Sequence, residues 1–189
     1  MRLNRVTGWF EPIEKVESPN WDERPDEEAI DTVVVHGISL PPGQFGGRWI
    51  DDLFTNRLNP DAHPQFKQLA GLKVSAHVLI RRNGSCTQFV PVTKRAWHAG
   101  KSRFCGREHC NNFSVGIELE GADLVPYTNN QYLALTEICY RLMQAYPAIQ
   151  KDRIVGHCDI APERKTDPGP AFDWTRFFAL LSNQLEAVV

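Results

Sequence analysis

The stretch Gly156–Pro170, GHCDIAPERKTDPGP, carries two potential metal ligands, His157 and Asp167, with Glu163, Arg164 and Lys165 between them. A third candidate, His36, stands near the end of the β-branched run DTVVVHGI at Asp31–Ile38. Two imidazoles and one carboxylate with a fourth position left open form the donor set of a catalytic zinc site. Each residue also has an ordinary reading. His36 could be a hydrogen-bonded strand-end histidine, and Asp167 a turn former ahead of Pro168. The His-x9-Asp spacing is weak by itself, and no H-x-x-x-H signature supports it. His77 and His98 are rival ligands. His77 lies in the apolar run VSAHVLIR, which suits a core position or a supporting role behind a ligand. His98, in AWHAG, could touch substrate, supply a proton or lie on the surface.

An acid and a cation stand out beside these donors. In SVGIELEG, strand alternation places Gly116, Glu118 and Glu120 on one face, opposite Val115, Ile117 and Leu119. The two acids need either solvent or a cleft; in a cleft, Glu118 could take a proton from an attacking water. Lys165 is either half of a surface Arg–Lys pair or a fixed cation that steadies charge on a carbonyl oxygen. Cys158 follows His157 directly, and adjacent strand residues point to opposite faces, so the two make a poor nucleophile–base pair.

The elements that must position these residues follow from pattern. Asp31–Ile38 is too apolar for a half-exposed strand and reads as a central one, with His36 toward its C-terminal end. Arg82-Asn83-Gly84-Ser85 joins the strand candidates Val74–Arg81 and Cys86–Val90 as a hairpin. Ser114–Leu119 is a further strand, and Ile154–His157 the last. Helices are expected over Trp49–Leu58, Asp61–Leu69 (with Pro64 in its first turn), Thr128 to about Tyr146, and after Asp173. Gly156–Pro170 itself, rich in turn formers, reads as a rigid loop at a strand end. The order predicts a single α/β (α+β) domain, a central mixed β-sheet flanked by helices on both faces. Residues 1–30 read as an N-terminal wrapping segment anchored by Trp9, Phe10 and Trp21, and 31–189 as the catalytic domain.

Composition bounds the function classes. With 42% hydrophobic and 23% charged residues and a net charge of -2, the chain has no basic stripe for nucleic acid. Five cysteines, an odd number with no C-x-x-C, argue for reduced thiols rather than a disulfide scaffold. No apolar run reaches signal-peptide or membrane-span length, so a cytoplasmic protein without membrane partners is expected.

The segments VVVHGISLPPGQFGG, VSAHVLIRRNG, KRAWHAG, NNFSVGIELEG and GHCDIAPERKTDPGPAFDW together resemble the zinc-dependent type 2 N-acetylmuramoyl-L-alanine amidases, which share a family with peptidoglycan recognition proteins and T7-type phage lysozyme. The match is closest to the cytoplasmic members that act on anhydro-muropeptides. The resemblance implies one Zn2+ per chain held by His36, His157 and Asp167, with Glu118 as catalytic carboxylate and Lys165 as the cation on the scissile carbonyl. It implies hydrolysis of the amide between the lactyl group of 1,6-anhydro-N-acetylmuramic acid and L-alanine, in cell-wall recycling, and a limit on the muropeptides that signal β-lactamase expression. A monomer acting on a small muropeptide is expected. Trp97 and His98 are the expected walls for sugar and peptide, and Arg107, with Arg82 and Arg103 as substitutes, the expected clamp for stem-peptide carboxylates. Gly37 departs from the family, where His-Asn is common. The alternatives are a non-catalytic peptidoglycan-fragment binder and an amidase of intact wall.

Overall fold

The computed structural model describes residues 1–187; the last two residues of the expected catalytic domain lie outside this range. Six strands form the main sheet: β1 (Glu14–Lys15), β2 (Thr32–Ile38), β3 (Val78–Ile80), β4 (Cys86–Gln88), β5 (Ser114–Glu120) and β6 (Ile154–Gly156), in spatial order β6-β2-β5-β3-β4-β1. The strands β6, β2, β5 and β3 run parallel, β4 returns antiparallel to β3, and β1 lies parallel to β4. The sheet is therefore mixed, and β2 is central as its apolar run required: Thr32 through His36 are all buried.

Four helices accompany it, α1 (Trp49–Phe54), α2 (Asn129–Ala145), α3 (His157–Ile160) and α4 (Trp174–Glu186). One sheet face presents Val33, Val35, Val78, Ile80, Val115, Ile117 and Leu119 to Leu135, Ile138 and Leu142 of α2 and to Phe177 and Leu181 of α4. The other face is covered in two parts. Leu79 packs under Ile50, Leu53 and Phe54 of α1, with Phe66 and Phe89. Val34 packs with Ala99, Cys110, Phe113 and Ile160. Between those apolar patches, on the same face, lie His36 and Glu118. This division follows from the two-residue period of the strands.

Several expected boundaries shift. The hairpin around Asn83-Gly84 is present, but its first strand begins at Val78, because the His77 carbonyl and ring take bonds from Phe89 and Gly116 that break the ladder there. The helix from Trp49 stops at Phe54, where the chain turns through Asn56 at φ 58. Pro64–Leu69 is a 3-10 helix capped by His63, with Phe66 buried and Ala70 exposed. The capping box at Thr128 and Gln131 and the Asp173 cap are both formed.

The first thirty residues are woven into the domain. Phe10 is fully buried, Glu14–Lys15 supplies the edge strand, and Trp21–Asp22 pairs with Arg95–Ala96. The Arg24 guanidinium donates to the carbonyls of Val92, Asn111, Asn112 and Ser114. All five cysteines are unpaired, and among the described residues no helix is long and apolar enough to cross a membrane.

Candidate metal centre

Four parallel strands end on one edge of the sheet, where ligands gather in α/β folds. The ladder sets Glu118 directly beside His36 across β5 and β2, and Gly156 beside Val35 across β6 and β2. In-register neighbours of a parallel pair point the same way, so the Glu118 and His36 side chains share a face about 5 Å apart at their strands. His157 follows one residue beyond β6. It does not lie in a loop, as expected, but opens the single turn of α3. The Asp159 carboxylate accepts the Gly156 N–H at 2.7 Å, and the His157 carbonyl accepts the Ala161 N–H at 3.0 Å. Carboxylate capping of that kind closes a turn that the Gly and Pro content alone does not reveal.

Asp167 reaches the same point from the following loop. Its carbonyl accepts the Cys158 N–H at 2.9 Å, and the Tyr127 hydroxyl donates to the next carbonyl, that of Pro168, at 2.9 Å. Gly169, at φ 82, packs so tightly on Asp123 that an added Cβ would stand 2.3 Å from its Cα. The loop is therefore held on both sides of Asp167.

The result is a triangle of donor atoms. His36 Nδ1 lies 2.9 Å from His157 Nδ1, and Asp167 Oδ2 lies 3.3 Å from the first and 3.1 Å from the second. Zinc–ligand bonds of about 2.0–2.1 Å in a tetrahedron require donor separations of roughly 3.3 Å, so these residues fit that ion. Both histidines are buried and Asp167 nearly so. Burial drives the His36 imidazole down to about 4, against the pull of Asp167, and so keeps the ring neutral, the form that binds a metal. Burial alone would raise the Asp167 carboxyl, but the two imidazoles facing it, His157 and then His36, outweigh that and hold it well below the usual carboxylate range. His157 Nε2 donates to the Ala99 carbonyl at 3.2 Å, which leaves the Nδ1 lone pair facing the triangle. Arg164 donates to that same carbonyl and to Lys101, at 2.7 and 2.9 Å, fixing the Ala99 turn.

Glu118 is the anomalous acid of the group. Burial, and then the charge of Asp167, push its carboxyl well above the usual range, and its Oε2 is buried with no hydrogen-bond partner. A native protein rarely leaves such an atom unpaired without a use for it. Lys165 is close enough for its charge to oppose the rise at Glu118 and to deepen the fall at His36. Cys158 is a poor nucleophile: burial, then Asp159 and Asp167, raise its thiol.

Other expected site residues lie elsewhere. Arg107 is engaged by Glu28 at 3.1 Å and Asp31 at 2.6 Å and stacks on Phe113, at the opposite end of β2, roughly 16 Å of strand from His36. Its charge is already paired with these two carboxylates. Arg82 stacks on Phe45 and donates to the Pro126 carbonyl at 2.7 Å. Arg103, by contrast, lines a cleft of about 640 Å³ together with Lys101, His109, Ile160 and Arg164. Trp97 is half-buried with its indole directed to the Asp22 carboxylate. His98 is turned inward against His36 rather than outward. Glu120 shares the Glu118 face as expected but is buried by contacts with Arg81, the Arg82 N–H and the Gly46 N–H. Tyr127 and the Ala99 carbonyl were not foreseen, because a phenol and a backbone oxygen carry no spacing signal.

The N-acetylmuramoyl-L-alanine amidase family model matches residues 26–170. The chain belongs to this family. It is 58% identical over 175 residues to the 1,6-anhydro-N-acetylmuramyl-L-alanine amidase AmpD of Salmonella typhimurium, covering 93% of both chains. It superposes on a crystal structure of a selenomethionine derivative of AmpD with a TM-score of 0.92 at 56% identity, covering 96% of this chain and 99% of that one. It also matches the amidase AmiD of Escherichia coli, solved with anhydro-N-acetylmuramic acid-L-Ala-D-gamma-Glu-L-Lys, with a TM-score of 0.59 at 28% identity, covering 84% of this chain and 60% of that one.

Proposed function

We propose that this chain is a zinc-dependent amidase that cleaves the bond between the lactyl group of 1,6-anhydro-N-acetylmuramic acid and L-alanine in muropeptides returned from wall turnover. The observation that carries the reading is the convergence of His36, His157 and Asp167 on one point beside a buried, unpartnered Glu118 oxygen. The amidase names of its relatives, at more than half identity over nearly the whole chain, supply the bond. The work is assigned to the cytoplasm and to a monomer.

His36, His157 and Asp167 would hold the ion. A zinc ion so placed supplies a Lewis acid that lowers the pKa of a water and polarises a carbonyl. The chain's own groups do the rest. Glu118 would accept the proton of the attacking water; burial and the Asp167 charge raise its affinity for that proton, and Lys165 opposes the rise. Lys165 places its ammonium toward the oxygen that gains negative charge. Glu118 then hands the proton to the alanine nitrogen, which leaves as an amine. The cleft lined by Lys101, Arg103 and Arg164, and also by Glu108 and Glu163, offers cations to the carboxylates of a stem peptide, and Arg103 takes the role first expected of Arg107.

Product analysis with defined muropeptides tests this reading. Anhydro-muropeptide should yield free peptide and anhydro-sugar, and a zinc chelator should abolish the reaction. Equal turnover of reducing muropeptides or intact wall would instead favour a general wall amidase. Binding without cleavage by the zinc-loaded protein would favour a fragment-binding protein.

A further inference from the structure

The two ring nitrogens of His36 face different partners. Nδ1 belongs to the donor triangle, and Nε2 lies 2.9 Å from His98 Nδ1. On the far side of His98, Nε2 lies 3.3 Å from Ser114 Oγ, and Ser114 Oγ–H donates to the Cys110 carbonyl. A carbonyl can only accept, and a serine hydroxyl has one proton. That proton is committed to Cys110, so Ser114 Oγ must accept from His98. A neutral His98 that donates through Nε2 has a lone pair on Nδ1. It therefore accepts from His36 Nε2–H, and the lone pair of His36 is left on Nδ1, inside the triangle.

Space for this relay is built into β5. An ideal Cβ on Gly116 would stand 2.4 Å from His98 Cγ, so the missing side chain is what admits the ring. The backbone behind the ring is held as well, since the His98 and Ala99 N–H groups both donate to Asn111 Oδ1, at 3.2 and 2.8 Å.

We propose that His98 is a positioning residue which, braced by Ser114, fixes His36 in its metal-binding tautomer. This rests on the zinc reading above and adds to it a role for a histidine that stands outside the donor triangle. His157 obtains the same result from the Ala99 carbonyl. Outer-shell partners of this kind are typically worth about 10–100-fold in metal affinity.

Two measurements test it. Zinc affinity of full-length protein is read by competition with a chelator of known strength. His98→Ala should bind zinc about 10–100-fold more weakly than wild type, and His98→Gln, which can still accept and donate, should recover part of the loss. Nitrogen-15 NMR of the metal-free wild type should find protonated Nε2 on both His36 and His98. A folded His98→Ala protein that binds zinc within about threefold of wild type would overturn the proposal. If that variant fails to fold, protonated Nδ1 on wild-type His36 would overturn it equally. Wild type that binds no zinc would contradict the metal reading instead, and the tautomer measurement, which needs no metal, would still decide the relay.

Discussion

Glu118 is the residue whose environment and role are most sharply opposed. A carboxyl that burial holds well above its normal range favours its proton in the folded chain and loses it readily in the unfolded one. Its contribution to stability is therefore full at acid pH and is lost as pH rises above about 4.5, the unfolded value, toward the higher folded value. Glu118→Gln removes that penalty. In metal-free protein the melting temperature of the variant relative to wild type should climb as pH is raised from about 4 to 8, and a difference constant across that range would contradict the assignment. The same substitution should retain zinc and lower turnover by about 10²–10⁴-fold, read in the muropeptide assay. Activity near that of wild type would require another base.

At the scale of elements, β5 does two jobs through alternate residues of one face. Glu118 and Glu120 project side chains, whereas Gly116 withholds one. Gly116→Ala should therefore displace the His98 ring and cost about 1–3 kcal/mol of stability, the range for an overpacked interior. Thermal unfolding checks the loss; a variant as stable as wild type would show that the ring has room to retreat. The sequence made β2, β5 and the capping box at Thr128 legible, because long apolar runs and paired caps are local signals. It did not disclose that His157 begins a helical turn, since the closing group is the side chain of Asp159 bonded to the backbone of Gly156. Nor did it disclose that Arg107 is consumed by Glu28 and Asp31, which are distant in sequence and adjacent only in the fold.

For the whole molecule, the sheet edge unites what the chain scatters. Spacing alone left His36, His157 and Asp167 as an open possibility with His77 and His98 as rivals; the family resemblance selected among them. The parallel order β6-β2-β5 then explains the selection, because it brings the ends of three strands to one point. His77 is excluded by its own bonds: its Nδ1 accepts the Gly116 N–H at 3.0 Å, and its Nε2 lies 3.0 Å from the Lys94 carbonyl. His98 stands one bond behind His36. The N-terminal thirty residues pack into the same body, through Phe10 in the core and Arg24 on four carbonyls.

The most direct test of this arrangement is anomalous diffraction at the zinc absorption edge from crystals of the zinc-loaded protein. A single strong peak should lie among His36 Nδ1, His157 Nδ1 and Asp167 Oδ2, at about 2.0–2.2 Å from each. A peak bound instead by His77 or His98, or none at these three atoms under saturating zinc, would contradict the account.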